Sequence, residues 1–397
     1  MIQTYTLAEE APLPLEVTVN GTAAPVYGMY VSKDPINRRW PGRQREVAQR
    51  ELAYFVSFEG AEKAEIEVKL PQDFRSVAIR PLAKRVTPLR DGNAVRFTLT
   101  DHGGYSFETD GCHGALHLFF NPPADYVFRE TEEVIRYEHG TFDAGEIRLK
   151  SNQTLYIAED AVVYANVVCE NEENIRICGK GVLDNSRSKE KILFEASGDG
   201  QTDAGNAERK HFISLIGCKN VTIEGVVLRD SLCYNVSAVN CDGVLIDNLK
   251  IIGCWRYNSD GVDLQNCRNC TLKNSFIRTY DDCTCIKGDV KFGTPCADTL
   301  VENCVLWCDW GHALEIGYET CADEIKNITY RNCYILRTSF DFLNIGCVDY
   351  ADIHDPIGNF LRQIAVNRDP RLVVLREFAP GNLFVERTNF PIELVAV

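Results

Sequence analysis

The chain lacks any run of about 18 apolar residues, which excludes a membrane-crossing helix. It also lacks positive charge in excess. Lysine and arginine together number 42 against 57 aspartates and glutamates, for a net charge of −15. A nucleic-acid binder would show a basic face, and this balance supports none. An anionic polymer would meet average repulsion unless a local basic pocket outweighed it. The opening residues, Met1 to Glu10, have neither a positive stretch nor an apolar one, so they do not read as an export signal. A repeated C-x2-C pair is missing too. Cys267 and Cys270 have that spacing, but Cys283/Cys285 and Cys304/Cys308 do not, which counts against zinc. The 17 cysteines are therefore read as reduced, buried thiols of a cytoplasmic protein.

What is present is ordinary in bulk. Hydrophobic residues make up 45% and charged residues 25%, as in a soluble globular protein. The 397 residues suffice for one large domain or two average ones. Residues 1–125 read as a β-sandwich. Leu15 to Val19, Glu65 to Leu70 and Val95 to Leu99 alternate apolar and polar residues, and turn signals such as Asn20-Gly21 separate them. Asn121-Pro122-Pro123 marks a boundary, because prolines interrupt a sheet ladder.

Residues 126–355 have a different texture. Val221 to Gly225, Val244 to Asn248, Cys270 to Asn274, Thr299 to Asn303 and Ile328 to Asn332 align, with steps of 23, 26, 29 and 29 residues. Ile175 to Gly179 is placed two steps upstream, across a polar insertion near 186–210. A strand-rich period in the twenties is the signature of a parallel β-helix. Cys218, Cys241, Cys267 and Cys296 each precede the aligned Gly or Asn by seven residues, which predicts a ladder of small side chains inside it. Asparagines ending the repeats are read as turn formers. The fold class expected is all-β, a sandwich followed by a single-stranded parallel β-helix. Residues 356–397 are expected to form a divergent C-terminal cap or an irregular end, because a solenoid's open edge needs covering.

Candidate chemistry sits within one short window. Asp260 follows Asn248 by 12 residues, Asp281 and Asp282 follow Asn274 by 7 and 8, and His312 follows Asn303 by 9. Stacked coils would put them on one flank, about 4.8 Å apart per coil. Adjacent aspartates on a flat strand point to opposite faces, so a turn or bulge is needed at Asp281-Asp282. Carboxylates crowded together cannot all ionise; one stays protonated and serves as an acid while the others hold a water. That is the equipment for cutting a glycosidic bond. Among the nearby aromatics Trp255, Tyr257, Tyr280, Trp307, Trp310 and Tyr318, Tyr280 and Trp310 are the expected sugar-stacking residues. Arg256, Lys287 and Glu315 are candidates for binding hydroxyls, and Asn258 and Asp263 join them as substrate-binding candidates from the Asp260 motif.

Asn258-Ser259-Asp260, Asp281-Asp282-Cys283 and Gly311-His312-Ala313-Leu314-Glu315-Ile316-Gly317 resemble the motifs of the polygalacturonase-type β-helix glycosidases of family 28. The sandwich-then-helix order resembles the dextranase and isopullulanase group of family 49. The resemblance implies a right-handed helix and an inverting mechanism. It further implies that Asp281 is the general acid, that Asp260 and Asp282 activate water, and that His312 assists. It implies neither a metal nor an organic cofactor, and a carbohydrate as the partner. The Arg-Ile-Lys that grips a galacturonate carboxylate in family 28 has no counterpart, which argues against polygalacturonic acid as substrate. Two rival readings remain: a β-helix polysaccharide lyase using Ca²⁺ or a basic residue, and a non-catalytic carbohydrate-binding solenoid.

Overall fold

The computed structural model describes residues 2–7, 13, 15–33, 47–130, 132–187, 211–317, 320, 322, 325–339, 343–345 and 384–385. Tyr318 lies outside them, as does the expected cap at 356–397 apart from the strand Phe384–Val385.

Two sheets form the N-terminal sandwich. One orders Thr22–Ala23, Glu16–Val19, Ala64–Lys69, Ala94–Leu99 and Leu89–Asp91. The other joins Gln3–Thr4, Arg50–Glu59, Leu116–Asn121, Gly103–Thr109 and Val77–Arg80, with Tyr27–Ser32 on Arg50–Glu59. The three alternating segments expected to be strands are the middle of the first sheet. Their apolar members, Val17, Val19, Ile66, Val68, Val95 and Phe97, face Phe58, Tyr105, Phe107 and Phe120 across the core. A period of two puts every second side chain on one face, so alternation in sequence becomes one buried side.

The last sandwich strand ends at Asn121 and the next strand, Glu133–Arg148, opens a continuous parallel sheet. This is a right-handed parallel β-helix with three faces. On the first, Arg176, Thr222, Leu245, Thr271, Leu300 and Thr329 are partners in consecutive coils. The aligned repeats are thus real rungs. The Ile175 segment departs from expectation: it pairs directly with Lys219–Glu224, one coil away rather than two. In sequence the polar insertion falls between the strands Val182–Asp184 and Ile213–Ile216.

Asn248, Asn274, Asn303 and Asn332 close the first face with φ of 54°, 53°, 54° and 52°. Asparagine tolerates this left-handed region better than other side chains do. Lys219, Asp242, Arg268 and Ala297 are rung partners, so the cysteines just before them stack in one column. All four are buried, and Cys241 and Cys267 reach the carbonyls of Leu215 and Ala238 at 3.6 and 3.3 Å. Every described cysteine is a free thiol.

The sandwich packs on the second face, where Phe119 meets Phe276 with ring centroids 5.2 Å apart. Gly104 permits this approach: a Cβ there would stand 2.4 Å from the Phe276 ring. Beside the apolar layer lies a buried polar one. The Arg278 guanidinium donates to Nε2 of His117 at 3.0 Å, lies 3.6 Å from Asp309 and covers the Trp307 ring. Trp307 donates to Asp309 at 2.7 Å.

Candidate active site

The third face carries the strands Ile213–Ile216, Val236–Val239, Val262–Gln265, Thr284–Lys287 and Leu314–Ile316, whose first residues are partners in series. Two positions before each of them stand His211, Tyr234, Asp260, Asp282 and His312. The ladder continues through this column: the amides of Phe212, Asn235, Gly261 and Cys283 donate to the carbonyls of Tyr234, Asp260, Asp282 and His312 at 2.8 to 2.9 Å. Three expected catalytic residues are therefore neighbours on consecutive coils. His211 and Tyr234, which extend the column and stack with centroids 4.7 Å apart, escaped the sequence reading.

Asp281 joins them from the side. Residues 280–283 form a bend rather than a strand, and the Asp282 amide donates to the Asp281 carboxylate at 3.1 Å. The bend turns both carboxylates the same way, toward Gly311. A Cβ on Gly311 would stand 2.5 Å from Asp282 Oδ1 and 2.9 Å from Asp281 Oδ1, so glycine is required for the pair to converge. Asp282 Oδ1 accepts the His312 amide at 2.7 Å and lies 3.3 Å from His312 Nδ1. Glu315 Oε2 lies 3.2 Å from the same nitrogen.

Exposure divides the cluster. Asp260 is 3% exposed and Asp281 8%, while the side chains of Asp282 and His312 keep 15% and 22%. Asp260 Oδ1 has no hydrogen-bond partner among the described residues. Burial, reinforced by Asp263 and Asp281, holds the Asp260 carboxyl well above the usual carboxylate range. Burial, reinforced by Asp282, does the same to Asp281. Burial pulls the His312 imidazolium down, but Asp282, Glu315 and Asp281 outweigh it and raise its pKa overall.

The substrate-binding candidates divide. Asp263 and Lys287 face each other at 3.3 Å beside the column, and Lys287 also reaches the Tyr234 hydroxyl at 3.4 Å. Asn258, with φ of 58°, shapes the turn that presents Asp260. Tyr280 and Trp310 are corrected. Tyr280 is fully buried, Trp310 is 6% exposed, and they stack on each other with centroids 6.1 Å apart inside the helix core. They pack as apolar wall under the site, because the turns that hold them point inward. Arg256 is fully buried as well, bound to Asp230 and the Ser231 carbonyl. Asp282, His312 and Glu315 bring atoms of metal-ligating type within 4.8 Å of one another.

A cleft of about 600 Å³ lies elsewhere, between sandwich and helix, lined by Lys84, His102, Tyr126, Arg176, Asp247 and Tyr334. Its Glu224 and Asp247 are bound to Arg176 and Lys273. The crowded, proton-holding carboxylates belong to the third-face column.

Comparison with known proteins agrees in fold and in sequence. Dex49A from Penicillium minioluteum superposes over 98% of this chain and 89% of its own, with a TM-score of 0.52 at 11% identity. The hyperthermoactive exopolygalacturonase of Thermotoga maritima covers 64% of this chain and 70% of its own, with a TM-score of 0.44 and 18% identity. An exopolygalacturonase of Arabidopsis thaliana is 24% identical over 271 residues, 64% of this chain; the match spans 60% of that relative's length. The profile described as glycosyl hydrolases family 28 matches residues 136–342, just over half of the sequence and the whole window that holds the column, and by that match the chain belongs to glycosyl hydrolases family 28.

Proposed function

We propose that the chain hydrolyses an O-glycosidic bond of a poly- or oligosaccharide with inversion, with Asp281 as general acid and Asp260 and Asp282 holding the attacking water. The observation that carries this is the convergence of Asp281 and Asp282 over Gly311, in register with Asp260 one coil below and His312 one coil above. Asp260 and Asp282 are one rung apart, about 4.8 Å, close enough to share one water. Asp281 retains its proton to higher pH than an ordinary carboxyl does, which suits it to protonate the leaving oxygen. His312, more exposed than the buried acids, supports Asp282 and meets a sugar hydroxyl.

Charge guides the choice of substrates to test. Three cations beside the column already face carboxylates: Lys287 with Asp263, His312 with Asp282 and Glu315, Arg256 with Asp230. The strand paired with Leu314–Ile316 reads Leu343-Asn344-Ile345 and adds no cation. Neutral oligosaccharides are therefore the first to try, beside the galacturonans named in the relatives. The test compares the parent chain with Asp281→Asn on such a panel and reads the anomer of the first product by NMR. Inversion with a loss of about 10²–10⁴-fold in kcat for Asp281→Asn is expected. Full turnover in that variant, retention of configuration, or an unsaturated product absorbing in the ultraviolet would refute the reading.

A further inference from the structure

We infer that Glu315 is a positioning residue that keeps His312 in its cationic form with Nδ1 turned inward. This rests on the reading of the column as a hydrolase site, but its geometry stands apart from turnover. Glu315 is 1% exposed, and its Oε2 lies 3.2 Å from His312 Nδ1, the nitrogen that Asp282 approaches at 3.3 Å. A carboxylate this deep has little water to stabilise it, so its charge depends on a cation beside it. The imidazolium gains in turn: two carboxylates lie within 3.3 Å of Nδ1, and their charge favours the protonated ring.

Strand register explains why Glu315 serves His312 and not another group. Asp263, Cys285 and Glu315 occupy one column, on consecutive rungs. Cys285 separates the two acids with a thiol that donates to the Gly317 carbonyl at 2.8 Å. Burial pushes that thiol's pKa well up, so it adds no charge between them. Asp263 is left to Lys287 and Glu315 to His312. Among the described residues, the ionisable groups that act on the imidazole include Asp281 and Asp282 from the coil below and Glu315 from its own coil. On the side of the following coil, Thr338 offers a neutral hydroxyl, bound to the Gly311 carbonyl at 3.1 Å.

With Nδ1 turned toward the two carboxylates, a contact from His312 to substrate runs through Nε2. As a cation, His312 donates from Nε2; once the ring is neutral with its proton on Nδ1, Nε2 can only accept. Glu315 thereby sets the pH up to which His312 can donate to a sugar hydroxyl.

The experiment follows His312 by NMR in protein labelled at histidine Cε1, with the resonance assigned by its loss in His312→Gln. In Glu315→Gln the His312 midpoint is expected to fall by about 1 pH unit or more. The alkaline limb of kcat/KM should move the same way, with Glu315→Asp falling between parent and Gln variant. An unchanged midpoint in folded Glu315→Gln overturns the inference. Should that variant fail to fold, a midpoint in Glu315→Asp equal to the parent's overturns it. The hydrolase reading fails separately, if Asp281→Asn keeps its turnover while the NMR shift is still seen.

Discussion

At the residue scale, the site is held at an electrostatic disadvantage. Asp260 is nearly sealed, one of its oxygens lacks a hydrogen-bond partner among the described residues, and its pKa is raised by burial and by neighbouring acids. A carboxyl whose folded pKa exceeds its unfolded value of about 3.9 favours folding while protonated. That contribution is complete at low pH and is lost as pH rises through the folded value. At neutral pH Asp260 therefore weakens the fold, and Asp260→Asn is expected to stabilise by about 1 kcal/mol or more while abolishing hydrolysis. Thermal melts at pH 4 and pH 7 check this, the gain being larger at pH 7. The same shifts shape the rate profile. In the proposed mechanism Asp260 ionises and Asp281 stays protonated, so both limbs are expected above those of ordinary carboxylates. A pH profile of kcat/KM measures them.

At the scale of elements, the decisive unit is the turn between second-face and third-face strands. Its length varies from coil to coil, so Asp260, Asp282 and His312 follow their aligned asparagines by 12, 8 and 9 residues. Counted backward from the third-face strand, all three lie two residues away, as do Tyr234 and His211. The repeat was legible in the sequence and gathered the acids onto one flank. The column itself was blurred because the count began on the wrong side of a variable turn. Tyr234 and His211 could have been found by the backward count alone. Gly311 belongs to this turn and admits both Asp281 and Asp282. Since a Cβ would also stand 2.8 Å from the Asp282 amide nitrogen, backbone must shift to accept it. Gly311→Ala is expected to lower kcat by about 100-fold, the loss typical of an ångström-scale misplacement. Circular dichroism showing a retained β fold would assign the loss to the site.

On the scale of the whole molecule, the sandwich is bound to the helix through a polar layer that continues into the active-site turn. Asp309, fully buried, faces Arg278 and accepts from Trp307, and three residues later the chain reaches His312. Burial and the adjacent Arg278 push the His117 pKa well down, so a neutral His117 accepts a hydrogen bond from the guanidinium. Removing one partner leaves a buried charge uncompensated. Arg278→Met is expected to cost about 3–5 kcal/mol, and the double change with Asp309→Asn less than the sum of the two single changes. Urea unfolding of the three variants measures the coupling.

Local rules were enough to read the strands, the coil period, the cysteine ladder and the asparagine turns from the sequence. Alternation, turn chemistry and repeat phase act over a few residues and repeat from coil to coil. Which side chains face water was decided only by the folded chain. Tyr280 and Trp310 looked like sugar platforms and became wall, and Arg256 looked like a hydroxyl ligand and became a buried ion pair with Asp230. Glu315 stands only three residues after His312, yet that its carboxylate is buried against the imidazole emerged only with the fold. Burial and cross-coil proximity depend on residues tens of positions apart, and they exist only once the coils have stacked.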